Sequence, residues 1–205
     1  MQLNLAGNKI NYLPSSIGNL KSLVQLNLFS NKLSELPQEI TNLAFVEILN
    51  VSCNQLTSLP RGFGSFSAIL VLDLSNNKLT EVTPQIGLLA TLKELHLSYN
   101  EIEALPVELG RLANLEILVV TYNKLRSLPE ELANMASLSR IDVTSNEIEL
   151  LPPEIGEIEA LKKIDLSLNP VIDEIDAVAR QGAPALIKYL RSTEYRNLYA
   201  KKSKK

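Results

Sequence analysis

The side chains able to do chemistry are few, and their spacing is regular. His96 is the single histidine and Cys53 the single cysteine. Asp73 precedes His96 by 23 residues, and Ser75 precedes Ser98 by the same interval. An acid, a base and a hydroxyl nucleophile are the parts of an acyl-transfer triad. The shared interval argues for another origin. If each structural unit has that length, Asp73 and His96 become neighbours by geometry alone, and serine recurs at its own fixed place in most units. No glycine-rich turn or helix N-terminus is aimed at them to receive an oxyanion. Cys53 would stand two units from His96, roughly 10 Å away by strand spacing, too far for a thiolate–imidazole pair. Asp73, Asp142 and Asp165 are too dispersed for one carboxylate metal site. The chain contains no phosphate-binding loop, dinucleotide fingerprint or HExxH pattern. The expectation is a non-enzyme with no catalytic, cofactor-binding or metal-binding residues.

The elements that position these side chains follow from the period. Asparagines recur at Asn8, Asn31, Asn54, Asn77, Asn100, Asn123, Asn146 and Asn169, each 23 residues after the last. Five and three residues before each stands an apolar pair such as Leu26/Leu28 or Ile141/Val143, and Leu-Pro follows most of them. The alternation is that of a strand with one apolar face. Strands repeated in one chain direction must pair in parallel, each returning on the far side. The Asn carboxamide carries donors and an acceptor for backbone groups where the chain turns inward. Proline suits the start of a short convex helical or 3-10 turn, and Ile17, Leu20 and Leu23 give that element an apolar seam. One unit cannot bury its own apolar edges, so units stack into a solenoid. The expected fold is α/β: a horseshoe with a parallel concave sheet, short convex turns and a C-terminal helical cap.

The divisions expected are 1–169 for the array of about eight repeats, 170–199 for the cap and 200–205 for a basic tail. In the cap, Ile172, Ile175, Val178 and Ala179 have helical spacing up to Gly182. Pro184 opens a second helix running to about Tyr199, with Leu186, Ile187 and Leu190 on the last repeat and Lys188, Arg191 and Arg196 facing water. Leu3 and Leu5 already belong to a strand, so the first repeat begins bare. The expectation is that the chain is a fragment of a longer array or that this edge packs on a second copy.

The repeat LPxxIGxLxxLxxLxLxxNxL, complete at 13–33, resembles that of intracellular Ras-group leucine-rich repeat proteins. The stretch NPVIDEIDAVARQGAPALIKYLRSTEYRNLY at 169–199 is similar to the closing segment of that group, and YLRSTEYRNLY to the tail of Ras-suppressor proteins. The resemblance implies a noncatalytic cytoplasmic adaptor or scaffold, linked to Ras-like small GTPases or to phosphatases.

Charge and hydropathy narrow the remaining classes. No apolar run approaches the ~18 residues of a membrane span, and MQLNLAGNKI has no signal-peptide pattern. A single cysteine leaves no internal disulfide framework. Residues 101–160 carry twelve acidic against four basic side chains, and 161–205 carry ten basic against five acidic. A chain that must neutralise phosphates would not hold its strongest charge block as acid in mid-chain, so nucleic acid is not an expected partner. Lysines at 201, 202, 204 and 205 read as a solubilising end.

Binding is expected where side chains vary between repeats on the open side of the strands. These stand six, four, two and one residues before each Asn. The candidates are Phe29, Ile48, Val71, Asp73, Glu94, His96, Tyr99, Ile117, Val119, Tyr122, Arg140 and Asp142, which place an apolar and aromatic centre beside a charged end. Such a surface suits a protein partner. The alternative is a structural module that self-associates through its N-terminal edge.

Overall fold

A computed structural model describes residues 1–203. Eight three-residue strands form one sheet in sequence order: β1 Gln2–Asn4, β2 Gln25–Asn27, β3 Ile48–Asn50, β4 Val71–Asp73, β5 Glu94–His96, β6 Ile117–Val119, β7 Arg140–Asp142 and β8 Lys163–Asp165. All pairs are parallel, and each residue faces the one 23 positions later, as in Leu72↔Leu95 and Asp73↔His96. The period therefore sets the register directly. The first apolar residue of each L-x-L pair lies mid-strand and points inward. From Leu26 to Ile141 these are buried, as are their partners from Leu28 to Val143. In the first rung Leu3, Leu5 and Ile10 remain half-buried.

The asparagines hold the rungs together. Asn77 Nδ2 donates to Leu74 O and to Val51 O of the preceding rung, at 3.0 and 3.1 Å, while its Oδ1 accepts from Leu56 N at 2.9 Å. Asn54, Asn100, Asn123 and Asn146 repeat the pattern. Each satisfies buried backbone groups on two rungs at once.

The chain returns through 3-10 turns, five residues long at Ser15–Asn19, Gln38–Asn42, Pro84–Leu88, Val107–Arg111, Glu130–Asn134 and Pro153–Glu157, and three at Phe63–Ser65. Proline enters most of them in an extended conformation, as Pro14 does at φ −68° and ψ 149°. Where Thr83 replaces that proline, its hydroxyl accepts the backbone N–H of Gln85. Glycines at 18, 64, 87 and 110 let neighbouring turns touch: a Cβ at Gly87 or Gly110 would collide with the backbone carbonyl of Glu108 or Glu131. In the short turn Phe63 and Phe66 fill the core edge-to-face, with centroids 5.3 Å apart.

The cap departs from the expected pair of helices. It contains three: α1 Asp173–Ala179, α2 Ala183–Leu190 and α3 Thr193–Lys202. The expected helix from Pro184 to Tyr199 breaks at Arg191–Ser192, because the Ser192 hydroxyl accepts the N–H of Tyr195 and starts a new helix. That break turns Tyr195 inward. It is fully buried, and its hydroxyl accepts from Leu151 N at 3.1 Å and donates to Leu151 O at 2.6 Å. Burial drives its pKa well above the ordinary tyrosine value. Leu186 and Leu190 cover the last rung as expected. Arg191 and Arg196 are not simply solvated: Arg191 Nε donates to Gly156 O at 2.6 Å, and Arg196 pairs with Glu157 at 2.8 Å and Glu154 at 3.7 Å. Part of the mid-chain acid thus meets the cap's cations. Of the expected basic tail, Ala200–Lys202 continue α3, and Lys204 and Lys205 lie outside the described residues.

Candidate partner-binding face

Two of the four variable rows carry structural duties that the spacing alone did not separate from binding. The residue immediately before each Asn lies in the left-handed region. Ser30, Cys53, Asn76, Tyr99, Tyr122, Ser145 and Leu168 have φ between 53° and 57°, and Gly7 has 69°. There the backbone makes the turn out of the strand, which excludes β-branched residues on steric grounds. The sequence carried that signal: none of the eight is Val, Ile or Thr.

The row four residues before each Asn also shapes the backbone. Asn4, Asn27, Asn50, Asp73, Asp142 and Asp165 each accept, through Oδ1, the N–H two residues on, at 2.9–3.3 Å. These are Asx turns closing the strand end. Hydroxyls two residues on reinforce three of them: Ser52 to Asn50 at 2.7 Å, Thr144 to Asp142 at 2.9 Å and Ser167 to Asp165 at 2.6 Å. The Ser167 hydroxyl is the main reason that the Asp165 carboxyl titrates below its usual range.

Rungs five and six abandon the device. His96 and Val119 hold the Asx position there, and the Ser98 and Thr121 hydroxyls bond each other at 2.9 Å. The same two rungs place tyrosines in the left-handed row. Tyr99 and Tyr122 stack with centroids 4.4 Å apart and planes 8° from parallel. They remain 55% and 46% exposed. Partial burial raises the Tyr99 phenol's pKa, and the adjacent Tyr122 adds to the rise. The stack stands at the rim of the sheet, where the chain leaves the strand.

Around it the structure brings the other candidates into register. Val71, Glu94, Ile117 and Arg140 run side by side across β4 to β7, and Asp73, His96, Val119 and Asp142 form the next row. All eight are half-buried. Phe29 and Ile48 are more exposed and lie toward the first rungs. His96 Nε2 is 3.3 Å from Glu94 Oε2 on its own strand, not turned to Asp73, whose Oδ1 is held by Ser75 N. Arg140 meets Asp142 at 3.1 Å, and its buried Nε has no hydrogen-bond partner among the described residues. The Cys53 thiol lies 3.2 Å from Asn76 Nδ2. Among the described residues, no three His, Cys, Asp or Glu side chains gather as metal ligands. No described helix is long and apolar enough to cross a membrane.

Comparison with known proteins extends these features. Residues 62–180 match the family described as a leucine-rich repeat region, and residues 22–43 and 45–66 each match a single leucine-rich repeat. No curated protein matches the chain. Among solved structures it is similar to a leucine-rich repeat protein of Leptospira interrogans, at 29% identity over 89% of this chain and 58% of that one, with a TM-score of 0.53. An internalin of Listeria monocytogenes shares the fold, at 23% identity over 82% and 48% of the two chains and a TM-score of 0.71. The ectodomain of the Arabidopsis receptor kinase HAESA, solved with a peptide hormone ligand, is 30% identical over 82% of this chain and 30% of that one, with a TM-score of 0.72. The chain thus spans between 30% and 58% of the length of these structures. The family match covers more than half the chain, and the parallel rungs, asparagine column and 3-10 returns accompany it. On these grounds the chain belongs to the leucine-rich repeat family.

Proposed function

We propose that the chain is a noncatalytic interaction scaffold that binds a protein partner on the concave face, centred on rungs five and six. One observation carries this reading. The two rungs that give up the Asx turn are the two that present the stacked tyrosines. Departure from a local structural rule at one place on a regular array marks function better than exposure does. Large exposed aromatics are characteristic anchors of protein interfaces. A noncatalytic role is supported by the commitments of Asp73 to Ser75 N and of His96 to Glu94. That HAESA was solved with a peptide ligand adds support for recognition of polypeptide. A cytoplasmic signalling role linked to Ras-like GTPases or phosphatases is proposed from the resemblance of the repeat and cap motifs alone.

Site-specific photo-crosslinking tests the reading. A crosslinker at Thr121 on the sheet side should capture a protein from cells that express this chain, and one at Asn134 on a convex turn should not. Equal capture from both positions would overturn it.

A further inference from the structure

We infer that the partner segment crossing rungs four to six is basic and seats an arginine against the outer face of Tyr99; this deepens the concave-face reading and rests on it. Three observations lead there. First, the tyrosine stack is only two rings long. The left-handed position is filled by Asn76 on one side and by Ser145 on the other, so both outer faces of the stack border shorter side chains. Second, rung spacing is about 4.8 Å, close to the 4.4 Å between the two rings. A planar group lying over Asn76 would therefore continue the stack at the same interval. Third, the concave rows on these rungs carry charge of one sign, while Lys78, Glu101 and Lys124 follow the asparagines off those rows, the last two as an ion pair. In the four variable rows of rungs one to six, the only permanently charged side chains are Asp73 and Glu94. The cations Arg140 and Lys163 begin at rung seven, where Asp142 and Asp165 accompany them. Asp73 forms no ion pair among the described residues, and Glu94 meets only His96.

A planar, cationic, weakly hydrated group suits an open tyrosine face on rungs whose concave rows carry only carboxylates. The guanidinium has these properties, whereas an ammonium is compact and strongly hydrated. Lysine would satisfy the charge without the stacking. Phenylalanine would stack without using Asp73 and Glu94. An acidic segment would be repelled by both.

The probe is N-acetyl-arginine amide, titrated into the isotope-labelled chain and followed by amide shifts. N-acetyl-lysine amide and N-acetyl-citrulline amide are the controls. Saturable shifts at Asn76, Ser98 and Tyr99 are expected for arginine, weaker ones for lysine and none for citrulline. Tyr99→Ser, which installs a residue the chain itself uses at this backbone position in Ser30 and Ser145, should weaken arginine binding about tenfold. Asp73→Asn with Glu94→Gln should weaken it several-fold and reduce its salt sensitivity. Arginine shifts that are absent, or equal to those of citrulline, would overturn the inference. If a partner captured through Thr121 still depended on the tyrosines in that event, the concave-face reading would stand alone. Arginine shifts that survive Tyr99→Ser unchanged would also overturn the inference.

Discussion

Tyr99 and Tyr122, separated by one repeat, lie face to face with their ring centroids 4.4 Å apart. The stack is a consequence of the parallel register, which puts identical positions of consecutive rungs side by side at about the thickness of an aromatic pair. Neither ring is needed by the core, since both are about half exposed. Replacing either by Ser should lower unfolding free energy by about 1 kcal/mol or less, read by urea denaturation. A loss several times larger would mean that the pair is part of the scaffold.

The asparagine column should behave in the opposite way. Asn77→Ala leaves Leu56 N without its partner and takes one of two asparagine donors from Val51 O and from Leu74 O, which keep Asn54 and Asn100 respectively. A buried N–H left unpaired costs about 1–3 kcal/mol, and the weakened carbonyls add to it, so a loss of roughly 2–3 kcal/mol is expected in urea. Asp73→Ala removes a single Asx bond at a half-exposed site and should cost about 1 kcal/mol.

On the convex side, Gly87→Ala would drive a methyl group into the Glu108 carbonyl of the next turn. Overpacking of this kind costs about 1–3 kcal/mol, measurable as a fall in urea midpoint. Alanine already occupies the equivalent place at Ala133, so Ala133→Gly should change stability by less.

The cap depends on one hydroxyl. Tyr195→Phe leaves both backbone groups of Leu151 unpaired in a buried place and should cost about 2 kcal/mol. Because burial raises the folded-state pKa of Tyr195, its contribution is fully present below the unfolded-state value near ~10. It is lost as pH rises beyond that point toward the folded-state value. Wild-type stability should therefore fall above pH ~10, and Tyr195→Phe should flatten that fall in a urea series across pH.

Much of the scaffold was legible because it repeats: the asparagine interval fixed strand positions and pairing, and the leucines fixed the core. The rows before each asparagine were harder to read. Variation there suggested freedom from packing duty, yet Asn27, Asp73 and Asp142 vary only within the residues that can accept an Asx bond. Ser30 to Leu168 vary only within those that tolerate a left-handed backbone. The candidate site emerges when these duties are subtracted, since His96, Val119, Tyr99 and Tyr122 are then set apart by rule-breaking as well as by apolarity. The cap's helices are legible from their apolar spacing, but the break between the last two is not. Without a repeat to compare, Ser192 looked like a helix interior, and Tyr195 gave no sign of its bond across 44 residues to Leu151.

The most direct measurement is calorimetric titration of a partner captured through Thr121 against the wild-type chain, the Tyr99→Ser/Tyr122→Ser double variant and the convex control Asn134→Ala. The double variant should bind more than tenfold more weakly, as for loss of an interface anchor, and the convex control should match wild type. Unchanged affinity in the double variant, with loss in the convex control, would contradict a concave site on rungs five and six.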